Sequence, residues 1–303
     1  MNSISIPPAL SNYSLKQTLT SGQTFRWLTK PTENKTTKPL SNPNTDTFYL
    51  PVHTTKPIVY KVTQSGNEIK WENISNTSIS KTKLQNHLKK RLGFSYPYKE
   101  ALSTLQTNDP ELYSNTEASL SIIQDYPFET TISFICSPQA TIDRIYQMQR
   151  NIESKYGTQI ETTDGMFYTF PTIRSLADAT ETELKNCNLG YRASYVNKTS
   201  NQLKDDNPAL PKQQTNIQTK TLSSELQNFT GVGPKVADCI LLYSYNRTDV
   251  IPIDTRIQQM VTERYDKTAT TTEKAKQTLE SVWGEEFGGY YQLLLYDFAA
   301  ENM

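Results

Sequence analysis

The stretch that most constrains this chain is Leu226-Gln227-Asn228-Phe229-Thr230-Gly231-Val232-Gly233-Pro234-Lys235-Val236-Ala237-Asp238. One helical pattern ends and another begins within Gly-Val-Gly. Glycine permits a positive-φ turn and the close approach of another backbone, and Pro234 suits the first turn of the second helix. That helix start offers unpaired N–H groups and the positive end of a dipole, a cradle for phosphate that needs no net positive charge. Gly231 and Gly233 are therefore candidate phosphate-backbone contacts. Alone, the same stretch also describes an ordinary corner between two helices.

Lys235 falls in the first turn of the second helix. Most helical lysines are solvated, but here the positive helix end disfavours the ammonium, and partial burial would lower its pKa further. A neutral amine can attack an anomeric carbon and form a Schiff base. Cys239 lies four residues on, on the same face, where it either shares a pocket with Lys235 or simply packs. Asp254 precedes a helical run whose apolar residues are Ile257, Met260 and Val261. It is a natural N-cap. A carboxylate fixed near a sugar also stabilises developing positive charge and assists proton movement. The two roles are compatible, because a cap fixes the carboxylate in place.

Composition argues the other way. Basic and acidic residues balance at 31 each, giving zero formal net charge, whereas basic excess is the usual footprint of nucleic-acid binding. Any such affinity must come from local placement: helix N-termini, backbone N–H groups and a few arginines. The three cysteines, Cys136, Cys187 and Cys239, are too scattered for a disulfide framework, a zinc site or an iron–sulfur cluster. His53 and His87 sit in unrelated contexts, so no metal and no cofactor is expected. The N-terminus lacks a basic region followed by an apolar run, and no stretch approaches the ~20 apolar residues of a membrane span. The expectation is a soluble intracellular protein in the cytoplasm or nucleoid, a nuclear place being the lesser alternative, that has no membrane partner and is monomeric.

The pattern is that of an α+β fold. Residues 25–30, 47–52, 57–63 and 68–73 are rich in aromatic and β-branched residues, and the turn Gln64-Ser65-Gly66-Asn67 signals a hairpin. They predict an antiparallel sheet with a helix over 80–91. Polar loops are expected at 31–46 and 205–219. From about residue 97 the periodicity becomes helical, with helices over 127–138, 142–157, 172–190, 191–203, 223–246, 255–265 and 286–300. The expected division is a sheet domain over 1–112 and a helical domain over 113–303.

A hairpin bearing a lysine, followed by a Pro-x-Asp helix start, resembles the helix-hairpin-helix DNA glycosylases. Four further segments are similar to the 8-oxoguanine DNA glycosylase/AP lyase family. They are Ser21-Gly22-Gln23-Thr24-Phe25-Arg26-Trp27, Ile132-Ser133-Phe134-Ile135-Cys136-Ser137, Leu189-Gly190-Tyr191-Arg192-Ala193 and Lys235-Val236-Ala237-Asp238-Cys239-Ile240. They fall in the family's order, and the resemblance covers roughly residues 15 to 300.

The resemblance implies a twisted N-terminal antiparallel sheet with helices, followed by an all-helical helix-hairpin-helix region. It implies an enzyme acting on double-stranded DNA that contains an oxidised purine, which flips the damaged nucleotide into a pocket. Lys235 would be the nucleophile and Asp254 the catalytic carboxylate. The Gly22 carbonyl would accept N7–H of the oxidised base, Gln292 would read its Watson–Crick edge, and Tyr296 and Cys239 would lie against it. Arg144 and Arg192 would contact the orphaned cytosine, with Tyr191 as the wedge in the stack. Two departures stand out. Pro138-Gln139-Ala140-Thr141 replaces an Asn-rich segment, so Gln139 would fill the gap left by the flipped base. Arg256 stands where the family often has His, at a phosphate. Each residue also has a plain reading: a turn for Gly22, an amphipathic helix for Gln292 and Tyr296, surface ion pairs for the arginines.

The alternatives are a related glycosylase for another damaged base and a non-catalytic DNA-binding hairpin protein. With no cysteine after Cys239, the cluster-bearing pyrimidine and adenine enzymes fit poorly. The alkyl-base enzymes usually lack the hairpin lysine, and pure phosphate binding needs neither Lys235 nor Asp254.

Overall fold

The computed structural model describes residues 2–32, 45–116, 118–204, 210–211 and 217–302, with side chains up to residue 299. Most of the two polar loops lies outside these residues. The chain opens with β1 (Asn2–Ser5), α1 (Leu15–Thr20), β2 (Thr47–Val52), β3 (Ile58–Ser65), β4 (Glu68–Asn73) and α2 (Lys81–Arg91). The four strands form an antiparallel sheet in the order β1-β4-β3-β2. Gly66, at φ +57°, makes the tight β3–β4 turn that pairs Ser65 with Glu68. Isoleucine, valine, tyrosine and tryptophan at 58–60, 62, 69 and 71 are buried, so the sheet is covered on both faces at 58–60.

The strand expected over 25–30 does not form. Only Leu28 bridges to Tyr49, with N···O distances of 2.7 and 2.8 Å. Phe25 and Arg26 turn instead toward the helices, and the Asn2–Ser5 strand takes the sheet edge beside β4.

The chain continues through α3 (Tyr98–Asn108), α4 (Pro110–Asn115), α5 (Pro127–Ile135), α6 (Ile142–Tyr156), β5 (Gln159–Thr162), β6 (Gly165–Tyr168), α7 (Ile173–Ala177) and α8 (Glu181–Leu184). A π-helical turn over Lys185–Leu189 leads to α9 (Arg192–Lys204). Then follow α10 (Thr219–Leu226), α11 (Pro234–Tyr245), α12 (Thr255–Arg264), α13 (Thr272–Trp283) and α14 (Gly288–Asn302). α6 is amphipathic as its spacing predicts: Ile145, Met148 and Ile152 are buried, and Thr141 caps its start. The β5–β6 hairpin interrupts the expected helical run. Its Asp164-Gly165 turn is legible in sequence, but strands of four residues carry little periodicity. Asp164 ties this hairpin to the sheet through the Tyr49 hydroxyl (2.9 Å) and the Lys61 ammonium (2.7 Å).

Between the sheet half and the helical half lies a buried ionic cluster of Arg26, Arg91 and Arg150 with Asp125, Glu129 and Glu153. Glu129 on α5 contacts Arg26 (3.3 Å) and Arg91 (3.1 Å), Asp125 contacts Arg91 (2.9 Å), and Glu153 on α6 contacts Arg26 and Arg150 (2.7 Å for the latter). All six side chains are almost wholly shielded from solvent. In such a cluster each charge depends on its partners, and removing one leaves a bare ion in a poorly solvated place. We therefore expect Glu129→Ala to cost about 3–5 kcal/mol of stability, read from urea unfolding. A loss below about 1 kcal/mol, the range of an exposed pair, would mean that the cluster is not dry.

Candidate active site

α11 starts at the hairpin. Gly231 takes φ +86°, and a Cβ there would lie 2.9 Å from Tyr195 Cβ, so both the turn and the Tyr195 contact require glycine. No side chain caps α11, although Gly233 occupies its N-cap position. Its first N–H groups therefore remain available to an anion. α12, in contrast, is capped by Asp254, whose Oδ1 accepts the Ile257 N–H at 2.9 Å.

One face of α11 carries Lys235, Cys239 and Tyr243, one turn apart. This face lines a cavity of about 180 Å³. The other walls are Ser21, Gly22 and Phe25 between α1 and β2, Phe134 on α5, Ile142 and Ile145 on α6, Asp254, and Gln292 and Tyr296 on α14. A cavity of roughly 150 Å³ accepts a benzene ring, so this space suits one flat ring system and excludes a stretch of duplex. All six residues expected at the catalytic and base-recognition positions, namely Lys235, Asp254, Gly22, Cys239, Gln292 and Tyr296, meet around it.

The chemistry of the cavity is uneven. Lys235 is half-buried, with its Nζ 5.4 Å from the centroid of the Phe134 ring, which stacks on Tyr243 at 5.5 Å. Burial pulls the ammonium pKa down, but Cys239 and then the Asp254 carboxylate push it up, and the balance lies above the ordinary lysine range. Burial pushes the Cys239 thiol up to about 11 against the opposing pull of Lys235, so it is protonated at neutral pH. The expected depression of the amine is thus reversed. A helix end and burial were legible beside Lys235, but the facing carboxylate comes from a segment 19 positions away in sequence.

Gln292 is buried, and its Oε1 has no hydrogen-bond partner among the described residues. A stranded acceptor of this kind carries a desolvation cost of about 1–3 kcal/mol until a donor arrives. Gly22 takes φ +87°, which disfavours any side chain, and a Cβ there would press on Ile142 Cδ1 at 3.1 Å.

The residues expected on the DNA side behave differently from one another. Gln139 is exposed at φ +55°. Arg144 is exposed in a shallow groove beside Gly190. Tyr191 is half-exposed, and its hydroxyl donates to the Pro138 carbonyl at 3.2 Å. Arg192 is buried, stacks on Tyr191 with 4.5 Å from Cζ to the ring centroid, and bonds the same Pro138 carbonyl. Arg256 donates to the Ala299 carbonyl (2.7 Å) and covers the Tyr296 ring at 5.1 Å. In this state it braces the cavity wall, where a phosphate contact was expected.

Family comparisons accord with this geometry. Residues 5–130 match the family described as 8-oxoguanine DNA glycosylase, N-terminal domain, and residues 132–285 match the HhH-GPD superfamily base excision DNA repair protein. The chain belongs to the HhH-GPD superfamily of base excision DNA repair proteins. Within that superfamily it is similar to the N-glycosylase/DNA lyase of Saccharomyces cerevisiae, 34% identical over 164 residues, which are 49% of this chain and 42% of that protein. It is also similar to N-glycosylase/DNA lyase OGG1 of Arabidopsis thaliana, 33% identical over 172 residues, covering 54% and 46% of the two chains. These matches span less than half of each relative's length. A crystal structure of the Clostridium acetobutylicum 8-oxoguanine glycosylase/lyase with DNA superposes with a TM-score of 0.80 and 26% identity, over 96% of this chain and 93% of that one.

Sequence reasoning missed several residues at the cavity and the hairpin. Phe25 and Phe134 stood inside quoted segments without a role, and Tyr243 completes the four-residue spacing begun by Lys235 and Cys239. Tyr195 packs beside Tyr191 (5.9 Å) and is partly exposed; only its spacing of four from Tyr191 hinted at it. For Asp254, the cap predicts a split between two substitutions. Asp254→Asn should keep the stability of α12, whereas Asp254→Ala should lose about 1 kcal/mol. Equal thermal unfolding of both variants would remove the cap from the account.

Proposed function

We propose that the chain is a bifunctional DNA glycosylase/AP lyase that excises 8-oxoguanine opposite cytosine from duplex DNA, through a Lys235 Schiff base followed by β-elimination. One observation carries the reading: an amine, a fixed carboxylate and an unpartnered amide oxygen face a single cavity of one-ring size. A binding protein needs no such combination. The likeness of the N-terminal region to 8-oxoguanine glycosylases, and the glycosylase/lyase named for the superposed Clostridium structure, support the choice of substrate.

The flipped base enters between Gly22 and Gln292. Gln292 Oε1 accepts an N–H from its Watson–Crick edge. The Gly22 carbonyl accepts N7–H, the proton that 8-oxoguanine carries and guanine lacks. Tyr296 stacks on the ring. Lys235 loses its extra proton to solvent, its Nζ bonds to C1′ as the C1′–N9 bond breaks, and the base leaves with the electron pair and takes up the proton that the newly bonded nitrogen sheds. Asp254 stabilises the positive charge that develops on the sugar. The nitrogen lone pair then opens the sugar by expelling O4′, which takes up a proton, and a C1′=N iminium remains; it acidifies the C2′ hydrogens, and loss of one forms the C2′=C3′ bond and expels the 3′-phosphate. Outside the cavity, the uncapped start of α11 receives the DNA backbone, which lets a chain of zero net charge bind DNA.

Two expectations follow from the lysine. Lys235→Gln should abolish base excision and strand nicking while DNA affinity stays within about threefold, since neither hairpin glycine is touched; nicking by the purified variant would exclude Lys235 as nucleophile. The raised pKa also sets a pH dependence with a definite sign. Only the deprotonated amine attacks, so borohydride-trapped adduct should form faster as pH rises, by about tenfold per unit below the lysine pKa. Asp254→Asn removes the charge that holds the proton on, so the rising limb should move to lower pH while the plateau falls. A limb that stays in place in single-turnover trapping would mean that Asp254 does not control the lysine.

A further inference from the structure

The segment Ser21–Arg26 forms one wall of the cavity yet belongs to no helix or strand after Thr20. Its neighbours hold it residue by residue. Gln23 donates to the Ser121 carbonyl (2.9 Å) and accepts the Ile123 N–H (2.7 Å). Thr24 donates to Asp125 (2.7 Å), and Arg26 is gripped by Glu129 and Glu153. Phe25 is held through its backbone: Arg150 on α6 donates Nη2 to the Phe25 carbonyl at 2.8 Å, and Glu153 holds the same Nη2 at 2.7 Å.

Arg150 does not line the cavity. It is a costly residue to keep, because it is buried and its Nε and Nη1 have no hydrogen-bond acceptor among the described residues. Burial, the largest influence on it, pulls its pKa down to about 9. Stability alone gives little reason for such a group, since apolar side chains in place of the whole ionic set would pack as well or better. What the guanidinium does achieve is to fix a carbonyl. Phe25 meets Phe134 edge-on at 5.9 Å, and Phe134 lies under Lys235. Gly22, three residues earlier, has its place in the same short segment.

We propose that Arg150, aligned by Glu153, is a positioning residue for base selection: it sets the height of the Gly22–Phe25 wall against the incoming base. This rests on the excision reading above and adds a residue to it. The wall bears on the base, whereas Lys235 and Asp254 are carried by α11 and the start of α12. An abasic site has no base to select. Loosening the wall should therefore impair excision while sparing strand cleavage at a preformed abasic site.

The test compares Arg150→Met, Arg150→Lys and Glu153→Gln with the unmodified chain. The substrates are an 8-oxoguanine:cytosine duplex and the same duplex with a preformed abasic site. Arg150→Met should slow single-turnover excision about 10–100-fold, the scale of a misplacement near 1 Å, and leave abasic nicking within about twofold. Arg150→Lys, which keeps a cationic donor for the carbonyl and Glu153, should recover most of the loss. If the Met variant does not fold, Glu153→Gln carries the same expectation of a split. Parallel loss of both activities, or unchanged excision, overturns the proposal. If the unmodified chain neither excises nor nicks, the excision reading fails, and the positioning is read from hydrogen exchange instead. Amides of residues 22–26 should then exchange faster in the variant while those of α11 do not, and unchanged exchange overturns it.

Discussion

Six charges buried between the two halves of the molecule hold everything else in register. Arg26 and Arg91 come from the sheet half, Asp125 and Glu129 from the linker and α5, and Arg150 and Glu153 from α6. Desolvation makes each of them unfavourable alone, and the mutual contacts make the set tolerable only in one arrangement. The burial of Arg26 keeps the chain out of the sheet before Leu28 and places Ser21, Gly22 and Phe25 against the helices. The cavity wall is thus a by-product of where the charges must go.

The lysine site follows a different logic. α11 brings Lys235 to the cavity with its helix end uncapped, while α12 brings Asp254 with its carboxylate committed to a backbone N–H. One end stays open for an anion from outside, and the other is closed by an anion from within. The amine lies between them and stays protonated until something removes its proton. On the proposed reading, such a site would store the nucleophile in an unreactive form, and the carboxylate that holds the proton would also steady the cation that follows. On the opposite wall, the Gln292 oxygen is buried without a partner among the described residues, a deficit that a donor could relieve.

Much of this was legible in sequence because the signals were local. Caps announce themselves by residue type, so Asp254 was readable as the start of α12. The helical face of Lys235 and Cys239 needed only the spacing of four, and the β3–β4 hairpin needed only Gly66 in a turn between alternating strands. The strand expected at 25–30 failed for the opposite reason. Its aromatic and β-branched composition suited a sheet, but Arg26 has its ionic partners more than a hundred positions downstream, and no pattern within a short window reveals a partner at that distance. The β5–β6 hairpin was overlooked because four-residue strands give too few repeats to outweigh a helical neighbourhood.

The sequence by itself determined the hairpin glycines, the capped helix starts, the identity of the amine and carboxylate, and the α+β order, since each depends on residues within a few positions of one another. Tertiary structure alone decided that six residues scattered from 22 to 296 face one cavity. It decided that Lys235 is held as an ammonium, that Arg192 lies buried against Pro138, and that Arg150 grips the Phe25 carbonyl. The physical reason is the same in each case. A pKa, a stranded amide or a buried ion is set by the charges and dipoles within a few ångströms, and those neighbours come from parts of the chain that only folding brings together.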